Sequence, residues 1–261
     1  ARRRAASEHA LAILLGKGIM TSEGDMWRRQ RRMIQPLFHR RVIERFAARI
    51  DACIDRRLEA WHGHAQRDEP IDVTEEMSQL TLDIVLGAIF GDDLEWLSAK
   101  MGGNAFAVVT EHSARDLLFA YKFRSLTKLV QQLVDKRLAN DEEHFDFLQM
   151  LLNARDRDSG APMAPRELLD EVMTLVVAGH ETTAASLNWV WYLLSRHPQV
   201  LARLHAEIDA VPERRGLSFQ DAEDLRYTQA VIYEAMRLYP PGWILSRRTL
   251  EPDVLSGHRV P

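Results

Sequence analysis

The sequence predicts a mainly α protein with a small β part, and three observations carry that prediction. Apolar residues recur at three- and four-residue spacing through most of the chain, and one such stretch runs from Pro165 to His197 without an internal proline. Strand-like alternation is confined to Trp243–Arg248 and Val254–Val260. The 261 residues, 46% apolar and 28% charged, suffice to bury a substantial core.

Taken in order, the helical patterns are Trp27–Phe38, Val42–Trp61, Val73–Ile89, Ala105–Asn140, Phe145–Asn153, Glu167–Arg196, Pro198–Val211 and Leu225–Tyr239. Breaks fall at His62–Pro70, at the charged loop Asp156–Pro162, at Pro212–Gly216 and at Pro240–Gly242. None is long enough to link independent domains, and no internal repeat appears, so residues 1–261 read as a single domain.

Charge and cysteine content exclude several classes. A net charge of -4 gives no reason to expect nucleic acid as a partner, although Trp27–Arg45 is locally basic. Cys53 is the only cysteine, so this chain alone makes neither a disulfide framework nor a multi-cysteine metal site. It falls in a helical stretch and is expected to be buried and inert. No apolar run approaches the roughly 18 residues that span a bilayer. The chain begins with Ala1 and stops at HRVP, and it is expected to be cut at both ends.

The long helix, about 50 Å at 1.5 Å per residue, carries a contradiction at its centre. Its segment Met173–Gly179 is apolar on every side, as in a helix buried all round. There follow His180, Glu181, Thr182 and Thr183, so helix propensity is weakest where burial should be deepest. Gly179 has no side chain and would let a flat or diatomic ligand approach the backbone. The Thr182 hydroxyl can bond back to the Ala178 carbonyl, and Glu181 beside it can relay protons. The competing reading is that small residues pack at a helix crossing, with Glu181 on a solvated face. A zinc-protease HExxH pattern fails, because its second histidine would fall at Ala184.

Two further constellations stand out. Glu234 and Arg237, spaced i and i+3, can form an ion pair on one helix face. Trp27 and Arg31, spaced i and i+4, aim an indole N–H and a guanidinium the same way, which suits a carboxylate or phosphate. The plainer reading of the second is a basic amphipathic helix with one buried Trp.

Together these segments resemble the cytochrome P-450 family of haem-thiolate monooxygenases. The matches are Gly24-Asp-Met-Trp27-Arg-Arg-Gln-Arg31-Arg32 to GxxWxxxRR, Ala178-Gly179-His180-Glu181-Thr182-Thr183 to AGxET[TS], and Glu234 to Arg237 to ExxR. They occur in the family's order, with Leu238–Trp243 and Ser246–Asp253 also similar. The resemblance implies the P-450 fold, incomplete at both ends, with the oxygen-binding helix at about 165–197 and the ExxR helix at about 225–239.

It also implies roles. Ala178 and Gly179 would leave room over haem b for oxygen, while Thr182 and Glu181 would be the alcohol and acid of proton delivery. Trp27 and Arg31 would hold one haem propionate and Arg247, or Arg248 in another register, the other. Glu234 and Arg237 would be structural, in a buried charge network. The face of Arg28, Arg29 and Arg32 would help dock an acidic electron donor, a ferredoxin or flavin reductase fed ultimately by NAD(P)H. The implied activity is insertion of one oxygen atom into an apolar small molecule by a monomer, and the Ala/Arg-rich composition with no membrane anchor in this stretch leads us to expect the bacterial cytoplasm.

The chain departs from the family at the axial thiolate. The cysteine loop that follows the ExxR helix is absent from it, and Cys53 has no such context, so no metal ligand is assigned and the fragment alone is expected to be inactive. Two alternatives accompany the monooxygenase: a peroxygenase or isomerase using the same pocket, and a degenerate or truncated helical protein without catalysis.

Overall fold

The computed structural model describes residues 15–101, 117–140, 142–211, 219–244 and 252–260. Helices dominate, as the spacing predicts. Helix α1 (Gly24–Ile34) passes into a 3-10 turn at Gln35–Phe38, because Pro36 cannot continue an α ladder. The single helix expected from Val42 to Trp61 is two, α2 (Arg40–Glu44) and α3 (Ala47–Gln66), and α3 ends inside the expected break His62–Pro70, just before Asp68, whose φ is 54°. Helix α4 (Val73–Phe90) is capped by the Asp72 carboxylate, which accepts from Thr74 N at 2.8 Å and Glu75 N at 3.2 Å.

Helix α5 (Asp93–Met101) was not expected. The pattern Ala105–Asn140 is realised as α6 (Leu117–Ala139), and its first part, through residue 116, lies outside the described residues. Next come α7 (Phe147–Asn153), α8 (Pro165–Arg196), α9 (Pro198–Asp209), the short α10 (Phe219–Asp224) and α11 (Arg226–Leu238). Pro165 and Pro198 each stand at a helix N-terminus, where a missing N–H costs nothing. A hairpin of β1 (Asp253–Leu255) and β2 (His258–Val260) pairs Val254 with Arg259. Trp243 and Ile244 are not in a strand, and the rest of that expected strand, like Pro212–Gly216, lies outside the described residues.

The main core forms where α8 lies along α4, with Leu82, Leu86, Phe90, Val172, Val176, Leu133 and Leu148 almost fully buried. A smaller cluster of Val190, Leu194, Leu204 and Ala235 joins the second half of α8 to α9 and α11. Glu207 of α9 fixes the start of α11 by accepting from Tyr227 N at 2.7 Å and Thr228 N at 2.8 Å, a carboxylate at a helix N-terminus.

A buried charge network closes the α5–α6–α7 corner. Arg137 of α6 donates to Asp93 at 2.8 Å, to both oxygens of Asp146 at 2.8 Å and to the Phe90 carbonyl at 3.0 Å. Asp146 in turn caps α7 through Gln149 N at 2.8 Å. Burial alone pushes Asp93 up, but hydrogen bonds from Lys136 and Arg137 outweigh it and hold this carboxyl below its usual value.

Candidate functional site

Helix α8 supplies the first part of the site. It is α-helical from end to end, so the glycine and threonines at its centre do not break it. Thr182 Oγ1 donates to Ala178 O at 2.9 Å, as the sequence suggested. The same motif repeats on either side, with Thr183 Oγ1 to Gly179 O at 3.1 Å and Ser186 Oγ to Thr182 O at 2.9 Å. These hydroxyls therefore take up second lone pairs of helix carbonyls and line up along the axis. Glu181, Thr182 and Thr183 are exposed, whereas His180 is buried with Nδ1 3.0 Å from Val176 O. The next residue on the Thr182 face, Trp189, stacks on Tyr239 with ring centroids 3.9 Å apart and planes 7° apart. This stack ties the site helix to the end of α11.

A Cβ built at Gly179 would lie 3.0 Å from Val85 Cγ2 and 3.3 Å from Val85 Cγ1, so the glycine permits the close α4–α8 crossing. At 100° per residue Ala178 lies about 40° and Gly179 about 60° from Thr182, on either side of it, so both small residues border the Thr182 face.

Helix α1 supplies the second part. Trp27 is 42% exposed, which corrects the reading of a buried Trp, and Arg31 one turn on is also exposed. Neither side chain has a hydrogen-bond or ion-pair partner among the described residues, whereas the other three arginines of α1 are engaged. Arg28 pairs with Asp25 at 2.7 Å, Arg32 with Asp158 at 2.9 Å, and Arg29 with Glu167 at 2.6 Å and Asp156 at 2.9 Å. A free indole N–H and a free guanidinium on one face fit a carboxylate, such as that of a haem propionate.

Arg29 is corrected from docking surface to internal clamp. Its side chain is 30% exposed and held between Glu167 at the start of α8 and Asp156 of the preceding loop, with its hydrogen bond to Glu167 foremost in raising its pKa. Beside it a basic cleft of about 890 Å³ is lined by Arg31, Arg32, His39, Arg40, Arg155 and Arg157.

Glu234 and Arg237 form the expected pair, with both bonds at 2.7 Å. The mutual hydrogen bond lowers the pKa of Glu234 and raises that of Arg237. Among the described residues their side chains are 55% and 67% exposed, and the expected charge network is present there as this pair. Helix α11 buries Ala235 against α8 and α9, and the pair lies where no described residue covers it. Arg247 and Arg248 lie outside the described residues. Cys53 is buried, its thiol pushed up by burial, with Arg56 Nη2 3.2 Å from Sγ, as expected of an inert cysteine.

The motif reading passed over Glu171, which is fully buried on α8 beside Asp170. Its signal was present, since Glu167, Asp170 and Glu171 interrupt the apolar run of Leu168, Leu169, Val172 and Met173.

A family model described as Cytochrome P450 matches residues 1–119 and 112–261. The chain belongs to the cytochrome P450 family. Among curated P450-like relatives it is 35% identical to cyclooctatin synthase of Streptomyces melanosporofaciens, over 95% of this chain and 57% of that protein. It is 33% identical to pentalenene oxygenase of Streptomyces avermitilis, over 95% of this chain and 58% of that one. The P450 chain thus spans a little over half the length of these relatives. Among solved structures it resembles a cytochrome P450, CYP102L1, at 25% identity and a TM-score of 0.77, over 92% of this chain and 60% of that one. The retinoic-acid-bound cyanobacterial CYP120A1, at 21% identity and a TM-score of 0.82, covers 97% of this chain and 59% of its own, and shows the same fold. No helix among the described residues of this P450 is long and apolar enough to cross a membrane.

Proposed function

We propose that the full-length protein is a haem-dependent monooxygenase that inserts one oxygen atom from O2 into an apolar substrate of terpene-like character. The observation that carries this reading is the pairing of two features: a hydroxyl ladder beside an exposed acid on α8, and an unpartnered Trp27–Arg31 donor pair on α1. The substrate class is supported by the relatives named for cyclooctatin and pentalenene.

In this reading Trp27 Nε1 and Arg31 donate to one haem propionate, and Arg247 serves the other. Bound haem b would supply the oxygen-activating redox chemistry, with electrons from NAD(P)H by way of a ferredoxin or flavin reductase. Ala178 keeps the backbone accessible at the Thr182 turn. The Thr182 hydroxyl, whose proton lies on Ala178 O, has lone pairs to accept a proton from the side of Glu181, and passes its own on when the O–H turns away from that carbonyl. The basic cleft beside Arg31 and Arg32 suits an acidic electron donor, whose association should weaken with salt. Action as a monomer in a bacterial cytoplasm belongs to the same proposal, supported by the Streptomyces relatives.

Thr182→Ala in the full-length protein tests it. General acid–base groups contribute roughly 10²–10⁴ in rate, so product formed per NAD(P)H should collapse while peroxide release rises and haem content stays level. Coupling equal to that of the unaltered protein would remove Thr182 from the proton path.

A further inference from the structure

We propose that Glu171 makes residues 15–22 a proton-dependent latch, closed on the first turns of α8 while its carboxyl is protonated and loosened as that carboxyl ionises. The inference is independent of the haem reading. It starts from how this segment is held. Lys17 N donates to Asp170 Oδ2 at 2.9 Å, and Ile19 N donates to Glu171 Oε2 at 3.0 Å. Gly18 lies so close to α8 that a Cβ there would stand 2.7 Å from Asp170 O and also meet the Thr174 hydroxyl. Gln30 of α1 continues the attachment by donating to Lys17 O at 2.8 Å. The latched segment therefore leads directly into the helix that carries Trp27 and Arg31.

Glu171 is the weak point of this attachment. It is fully buried, and its Oε1 has no hydrogen-bond partner among the described residues. The charged groups that act on it are Glu167 and Asp170, both acidic. Among the described residues Arg29 pairs with Glu167 and Asp156, Arg166 pairs with Asp170 at 3.1 Å, and Lys17, whose backbone N–H meets Asp170, has no ion pair to Glu171. An ionised Glu171 would thus be a desolvated anion among like charges, with one backbone N–H to stabilise it. Burial first, opposed by the Ile19 N–H and reinforced by Glu167 and Asp170, pushes its pKa from 4.5 up to about 7.

The sign follows by linkage. The closed form binds the proton more tightly than an opened, solvated one, so closure is fully favoured below about pH 4.5. Its advantage is lost as pH rises toward and through about 7, after which it levels off. With those two values the opening equilibrium should rise roughly tenfold between pH 6 and pH 8.

Amide hydrogen exchange read by mass spectrometry on the peptide covering 15–22 tests the latch in the full-length protein. Rates at pH 6 and pH 8 are each corrected for intrinsic exchange, with an α4 core peptide as reference. We expect a roughly tenfold loss of protection at pH 8 in this peptide alone. Glu171→Gln, which keeps the shape and the acceptor but cannot ionise, should flatten the pH dependence. If that variant fails to fold, the infrared band of a protonated carboxyl in the unaltered protein replaces it, and it should disappear between pH 6 and pH 8. Equal protection at the two pH values, a variant that keeps the pH dependence, or no titrating carboxyl in this range would each overturn the proposal.

Discussion

Replacing Arg137 with Met should cost about 3–5 kcal/mol of stability, because it leaves the buried Asp146 carboxylate without its cation and Asp93 with Lys136 alone. The side chains of Arg137 and Asp146 are 2% and 1% exposed, so water cannot take over the lost bonds. Asp146 also caps α7, and the Phe90 carbonyl at the end of α4 loses a donor, so the damage reaches three helices. With a denaturant slope of roughly 2 kcal/mol per molar urea, the unfolding midpoint should fall by about 2 M. A fall worth less than about 1 kcal/mol would show that the corner is held by its apolar contacts alone. Replacing Arg137, Asp93 and Asp146 together by apolar residues should recover part of the loss, because no buried charge then remains unpaired.

The second large effect concerns cofactor retention. In the proposed site Arg31 meets a haem propionate, and a hydrogen bond to a charged group contributes roughly 1.5–3 kcal/mol. Arg31→Ala in the full-length protein should therefore weaken haem binding by roughly tenfold to a hundredfold, read from the rate and extent of haem transfer to an acceptor protein. Arg28→Ala is the control, since Arg28 and Asp25 form an exposed pair on the same helix with side chains 69% and 97% accessible. If both substitutions leave haem retention unchanged, the α1 donor pair is not a propionate site.

The chain's helical class, the length of α8 and the Thr182–Ala178 bond were legible because each depends on local order alone. Proline placement and three- to four-residue spacing define α8, and a back-bonded threonine needs only a neighbour four residues earlier. What could not be read was which neighbour fills each side of a helix. Nothing near Gly179 in sequence announces Val85, and Arg137 looked ordinary because Asp93 lies 44 residues away. The Glu234–Arg237 bond was likewise visible from its spacing, while its exposure depends on what packs over α11. Splitting of the expected Val42–Trp61 helix shows the same limit, because apolar spacing continues across a turn that changes the helix direction.

The family's chemistry also requires a thiolate, and Cys53, buried in α3 with a thiol pushed up in pKa, does not offer one. The decisive measurement is the carbon monoxide difference spectrum of the reduced full-length protein. We expect the red-shifted Soret band of thiolate-ligated haem, stable in Thr182→Ala and diminished in Arg31→Ala in step with haem loss. A folded full-length protein that takes up no haem, or shows no such band, would contradict the assignment of the α8 face and the Trp27–Arg31 pair to a haem pocket.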